Sequence, residues 1–76
     1  MSNLPQITPR KLEKFFIRQK FIVLRQVGSH VRLAHPDGRK ITIAIHNKPI
    51  APGTFQSILK QANLTRNGFL KLFRKR

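Results

Sequence analysis

Apolar positions along the chain repeat first with a helical period, then with a strand period, then with a helical period again. Leu12, Phe15 and Phe16 stand at i, i+3 and i+4, with Arg10, Lys11, Lys14 and Arg18 outside that stripe. Thr8-Pro9 before it supplies an N-cap and a proline at the first helical position, where a missing N–H does no harm. Ile7 and Leu12 have the spacing of a hydrophobic staple. The pattern predicts a frayed lead-in over residues 1–8 and a helix over about 9–19.

From Phe21 the period shortens. Phe21-Ile22-Val23-Leu24 is a β-branched and aromatic run that ends at Gly28-Ser29, so it reads as a strand. A second strand is expected from His30 to about His35 and a third from Arg39 to about Ile45. Ile41, Ile43 and Ile45 alternate with Lys40, Thr42 and Ala44, which gives the third strand one buried and one open face. Paired residues share a face, so Val31 and Leu33 must oppose Ile43 and Ile41. His35 then opposes Arg39 across a three-residue loop, Pro36-Asp37-Gly38, with Gly38 in the left-handed position. On the other face His30 opposes Ala44, Arg32 opposes Thr42 and Ala34 opposes Lys40. A two-residue turn at Gly28-Ser29 pairs Val27 with His30 and Arg25 with Arg32.

Residues 46–53 read as a connection. Phe55, Ile58, Leu59 and Ala62 restore the helical period, and Asn63 tolerates the left-handed conformation that ends a helix. Thr65 is placed to cap a further short helix carrying Phe69, Leu72 and Phe73 on one side, although Gly68 weakens it. The expected architecture is α+β, ordered α-β-β-β-α with a short extra C-terminal helix. Its three-stranded antiparallel sheet has helices on one face and leaves the other free. All 76 residues form one domain, with a core over about 8–65 and a basic extension over 66–76.

Composition adds a sign to that free face. Sixteen Lys+Arg against two acids give a formal charge of +14, spread from Arg10 to Arg76, and a polyanion is the natural partner. A domain of this size has about 3–5 kcal/mol of net stability from its core. There is no cysteine to staple it or to hold thiolate zinc, and a reducing, cytoplasmic setting is expected. The N-terminal residues do not have the pattern of a signal peptide, and no apolar run approaches the roughly 18 residues of a membrane span.

Candidate chemistry narrows to one residue. His30 and His35, five apart on a strand, face opposite sides about 16 Å apart and cannot share an ion, so no metal site and no cofactor is expected. Asp37 belongs to the turn and is a strand's length from His30, which argues against a Ser-His-Asp triad. Glu13 and Asp37 show no sign of converging as a carboxylate pair. RNA, however, carries its own nucleophile: a base removes the 2′-hydroxyl proton and the oxygen attacks the neighbouring phosphate. A histidine suits that proton transfer, and Arg25, Arg32 and Lys40 on the same face suit the phosphate. Gly28 and Ser29 add backbone N–H groups that a phosphate can approach. The plain alternative is a tolerated surface histidine beside an ordinary type II′ turn. His35 and His46 read as a turn and a loop residue, and the phenylalanines as core.

The stretches "RQVGSHVRLAHPDGRKITIAIH" and "PGTFQSILKQANLT" resemble, in this order, the HicA toxins of bacterial toxin-antitoxin pairs. The resemblance covers about Thr8 to Thr65. It implies a fold similar to the double-stranded RNA-binding domain and a small mRNA interferase that cuts without a metal. It implies that the histidine of Gly-Ser-His, here His30, is catalytic. It also implies a HicB-type antitoxin that covers the active face in a hetero-oligomer. The chain departs from the family pattern at four positions. Lys20 stands where glycine often precedes the aromatic, and Ala44 where proline is common after Thr-Ile. Gln56 stands where a basic residue is common, and Asn63 where glycine is usual.

The expected function is therefore a toxin with endoribonuclease activity, with His30 as general base or acid and Arg25, Gly28, Ser29, Arg32 and Lys40 as the RNA-binding set. A non-catalytic double-stranded RNA-binding module is the alternative, although Phe55-Gln56-Ser57 lacks the lysine cluster that commonly opens the last helix of such modules. A basic ribonucleoprotein component fits charge and size but gives His30 no role.

Overall fold

The computed structural model describes residues 6–74; Met1–Pro5 of the predicted lead-in and Lys75-Arg76 of the predicted basic extension lie outside the described residues. Helix α1 (Pro9–Arg18) starts at Thr8, whose hydroxyl accepts the Lys11 N–H at 3.4 Å, with Pro9 at the first helical position. Its end is built on Lys20, which takes a left-handed φ of +77°. The Lys20 N–H donates to the Ile17 carbonyl and the Phe21 N–H to the Phe16 carbonyl, both at 3.0 Å, while the Phe16 and Phe21 rings meet edge-on. That is a Schellman termination, in which the left-handed residue is normally glycine. It turns the chain directly into the first strand.

Strands β1 (Ile22–Val27), β2 (His30–Ala34) and β3 (Lys40–Ala44) form an antiparallel sheet in the order β1-β2-β3. The register is the one that alternation dictates: Val31 opposes Ile43, Leu33 opposes Ile41, His30 opposes Ala44, Arg32 opposes Thr42 and Ala34 opposes Lys40. Val31, Leu33, Ile41 and Ile43 are buried under the helices. Val27 pairs with His30 and Arg25 with Arg32, and Leu24 is extra, making a bulge between Val23 and Arg25. β1 contributes no buried residue at all.

Between β2 and β3 the expected three-residue loop is kept, with the His35 N–H on the Arg39 carbonyl at 2.9 Å and Gly38 at φ +102°. Arg39 fixes this corner. Its Nε donates to Asp37 Oδ2 at 2.8 Å, its Nη1 donates to the Ala62 carbonyl at 2.7 Å, and its guanidinium lies over the Phe21 ring. One side chain thus joins the hairpin turn, the start of the sheet and an orphan carbonyl at the end of the next helix.

Helix α2 (Pro52–Gln61) packs mainly on β3 and buries Phe55, Ile58 and Leu59, with Ala62 buried as its C-cap. Its end repeats the device of α1: Asn63 at φ +56°, its N–H on the Lys60 carbonyl, and the Leu64 N–H on the Leu59 carbonyl. Helix α3 (Arg66–Arg74) opens with the Gly68 N–H on the Thr65 hydroxyl at 2.9 Å. A Cβ at Gly68 would stand 3.1 Å from that hydroxyl, so the glycine expected to weaken this helix leaves room for its cap. The core reaches beyond residues 8–65: Ile7 is buried at one end, and Phe69 is fully buried against Phe15 (4.7 Å between ring centroids) and Phe55 (5.1 Å). A short amphipathic helix gains most of its stability from such packing, which is why Phe69 holds α3 in the fold rather than in a loose extension. The whole is an α+β fold of three helices on one face of a three-stranded sheet.

Candidate active site

The open sheet face is assembled by register. His30 and Arg32 on β2 alternate with buried Val31 and Leu33, so both point away from the helices and both are exposed. Across the strands, Arg25 and Val27 join them from β1 and Thr42 from β3. These five residues line a shallow open depression of about 390 Å³.

Gly28 and Ser29 form the turn at one end of the depression. Gly28 has φ +59° and no non-glycine φ is positive at Ser29, as a type II′ turn requires. Both carbonyls are held: Gly28's accepts from Gln26 Nε2 at 3.0 Å, and Ser29's accepts the Ile45 N–H at 2.6 Å. Nothing lies within 4 Å of where a Gly28 Cβ would sit, so this backbone is open to a bulky ligand. Two hydrogen bonds thus hold the turn beside His30.

Of the residues singled out from the sequence, Arg25, His30 and Arg32 meet in one place, with Gly28 and Ser29 at its edge. Lys40 does not line the depression. It shares the face but pairs with Ala34, four residues along β3 from the partner of His30, which is about 13 Å at strand spacing. Val27 and Thr42 were not among the expected site residues, although the same register argument that placed His30 places them beside it. The Thr42 N–H is held by Gln61 Oε1 at 3.3 Å, which ties the floor of the depression to α2.

His35 lies on the opposite side, its ring edge-on to Phe21 at 5.1 Å. Its Nδ1 stands 3.1 Å from both the Asp37 N–H and Asp37 Oδ1; unprotonated it accepts from the former, protonated it donates to the latter. Asp37 in turn accepts the Arg39 N–H at 3.0 Å, and that bond, with the Arg39 guanidinium and then His35 behind it, holds its carboxyl below the usual carboxylate range despite the opposing effect of desolvation. This cluster ties the hairpin together and is remote from the depression. His46 is an exposed loop residue whose Nδ1 accepts the Lys48 N–H at 3.3 Å. Among the described residues no three His, Asp or Glu side chains gather in a way that could hold a metal ion. No helix among them is long and apolar enough to cross a membrane.

These features define a small basic α+β protein that presents one histidine and two arginines on an uncovered sheet face. The family model of the HicA toxin of bacterial toxin-antitoxin pairs matches residues 9–64, from the first residue of α1 to the residue after the turn that ends α2. The chain belongs to the HicA toxin family, and its partner is an antitoxin. A search of curated proteins finds no match to the chain.

Proposed function

We propose that this toxin is a metal-independent endoribonuclease that cuts messenger RNA in the cytoplasm and is silenced in a hetero-oligomer with a HicB-type antitoxin. The observation that carries the reading is the sharing of one open depression by His30, Arg25 and Arg32. His30 acts as the general base on a 2′-hydroxyl; the 2′-oxygen bonds to the adjacent phosphorus while the bond from phosphorus to the 5′-oxygen breaks, and the departing oxygen takes a proton from solvent. Arg25 and Arg32 hold the phosphate through forked donors that match its oxygens and offset the charge that builds up on it. The Gly28-Ser29 turn lets the backbone come close to the strand, and Lys40 contacts the RNA further along the face.

The test is cleavage of a defined single-stranded RNA by the purified chain and by His30→Ala. Because His30 is exposed, the variant keeps the fold, and cleavage is expected to fall by about 10²–10⁴-fold, the usual contribution of a general base. Equal cleavage by both proteins would remove His30 from the mechanism. RNA binding without cleavage by the wild type would mark the chain as a binding module. Added chelator is expected to leave the rate unchanged.

A further inference from the structure

The two edges of the sheet are treated differently. β3 is covered: α2 packs on it and Gln61 takes the outward N–H of Thr42. β1 is bare over its whole length, with Ile22 60% and Val27 64% exposed and Val23 and Leu24 about half exposed. Ile17 of α1 is the only other exposed large hydrophobic side chain among the described residues. A free, apolar edge strand templates pairing with another chain, and proteins normally blunt it with charge, proline or cover. Here the edge has one arginine and one bulge.

We infer that β1 is the antitoxin's docking edge, and that the antitoxin adds to it an extended strand whose apolar residues are flanked by Asp and Glu. This rests on family membership and not on the ribonuclease reading. Strand addition suits the chemistry on the page. In an antiparallel pair alternate residues direct both backbone groups outward, and with Val27 and Arg25 bonded to His30 and Arg32, Gln26 is one that faces out. Two faces of β1 supply side-chain contacts: Ile22 and Val27 on the His30 face, Val23 on the helix side. Apart from Val27, which also lines the depression, this row offers RNA neither charge nor side-chain hydrogen bonds. A second copy of the chain is disfavoured because each carries +14, whereas an acidic strand meets Arg18, Lys20 and Arg25 with opposite charge. Val27 belongs both to this edge and to the depression, so a strand docked here also closes one wall of the site.

Gln26→Pro removes the outward N–H that an added strand needs, at a position where an edge strand tolerates proline. Ile22→Thr with Leu24→Thr keeps strand propensity and removes exposed apolar surface. The double threonine variant should keep the wild-type thermal transition, and Gln26→Pro should melt lower because it also loses the Gln26 Nε2 bond to the Gly28 carbonyl. Both should bind the cognate antitoxin at least about tenfold more weakly, a loss of about 1.4 kcal/mol or more. In the wild-type complex, amide hydrogen exchange should slow along Ile22–Val27. Undiminished antitoxin affinity in both variants overturns the inference, as does exchange protection confined to the helices. So does a wild-type chain that sediments alone as a dimer which these variants dissociate. A free chain that fails to cut RNA while the variants still lose antitoxin would sink the ribonuclease reading and leave this one standing.

Discussion

Lys20 and Asn63 do the same thing at the ends of α1 and α2: each takes a left-handed φ so that two N–H groups can turn back onto the last helical carbonyls. Asparagine adopts that conformation with little strain, whereas a lysine there costs on the order of 1–2 kcal/mol. The Schellman geometry at position 20 is the one that glycine fits without strain. Lys20→Gly should therefore stabilise the chain by about 1 kcal/mol, read in a thermal melt as a rise of about 4–8 °C for a domain of this size. The split between His30 and His35 is also decided at this scale. Strand alternation alone sent one to the open face and the other to the core side, and the structure keeps both there. Arg39 could not be singled out, because its partners Phe21, Asp37 and Ala62 come from three separate parts of the chain and meet only in the folded state.

Each element has a device that holds it. In the hairpin of β2 and β3 the Asp37 carboxyl accepts two bonds from Arg39 and titrates below its ordinary range. A carboxyl whose folded pKa is depressed adds stability that is fully present above its unfolded pKa, about 3.9, and is lost as pH falls through the folded value. Asp37→Asn should accordingly flatten the acid side of the stability profile, seen by comparing denaturant midpoints at pH 6 and pH 3. α3 depends instead on one ring. Phe69 touches Phe15, Phe55 and Phe73 with no exposure, and Phe69→Ala should cost about 3–5 kcal/mol. Against a net stability of about the same size, that variant is expected to be largely unfolded at 25 °C by circular dichroism. Periodicity showed that Phe69, Leu72 and Phe73 share a side; it gave no sign that this side meets Phe15, more than fifty residues earlier.

At the scale of the molecule, charge and architecture point the same way: helices occupy one face of the sheet, and the other is open beside sixteen basic residues distributed along the chain. RNA association should be steeply salt-dependent, since each neutralised phosphate of a single strand contributes about −0.7 to the slope of log K against log salt. Arg32→Ala, at the centre of the depression, should make that slope shallower by about 0.7, whereas an exposed cation that touches no RNA would leave it unchanged when removed. A filter-binding series across salt concentrations measures both.

The amino-acid sequence determined much of what depends on local period and turn chemistry: the starts of α1 and α3, the stop at Asn63, the pairing of β2 with β3, and the placing of His30, Arg32 and Arg25 on one open face; α2 starts at Pro52, inside the stretch that reads as a connection. These are properties of neighbours, and alternation or a 3.6-residue repeat records them directly. Only the tertiary structure decided how the layers meet. Its packing put Phe69 in the core and left β1 uncovered while α2 sheltered β3. The position of one helix over a sheet is fixed by summed contacts between distant segments, and no local pattern encodes which edge that helix will cover.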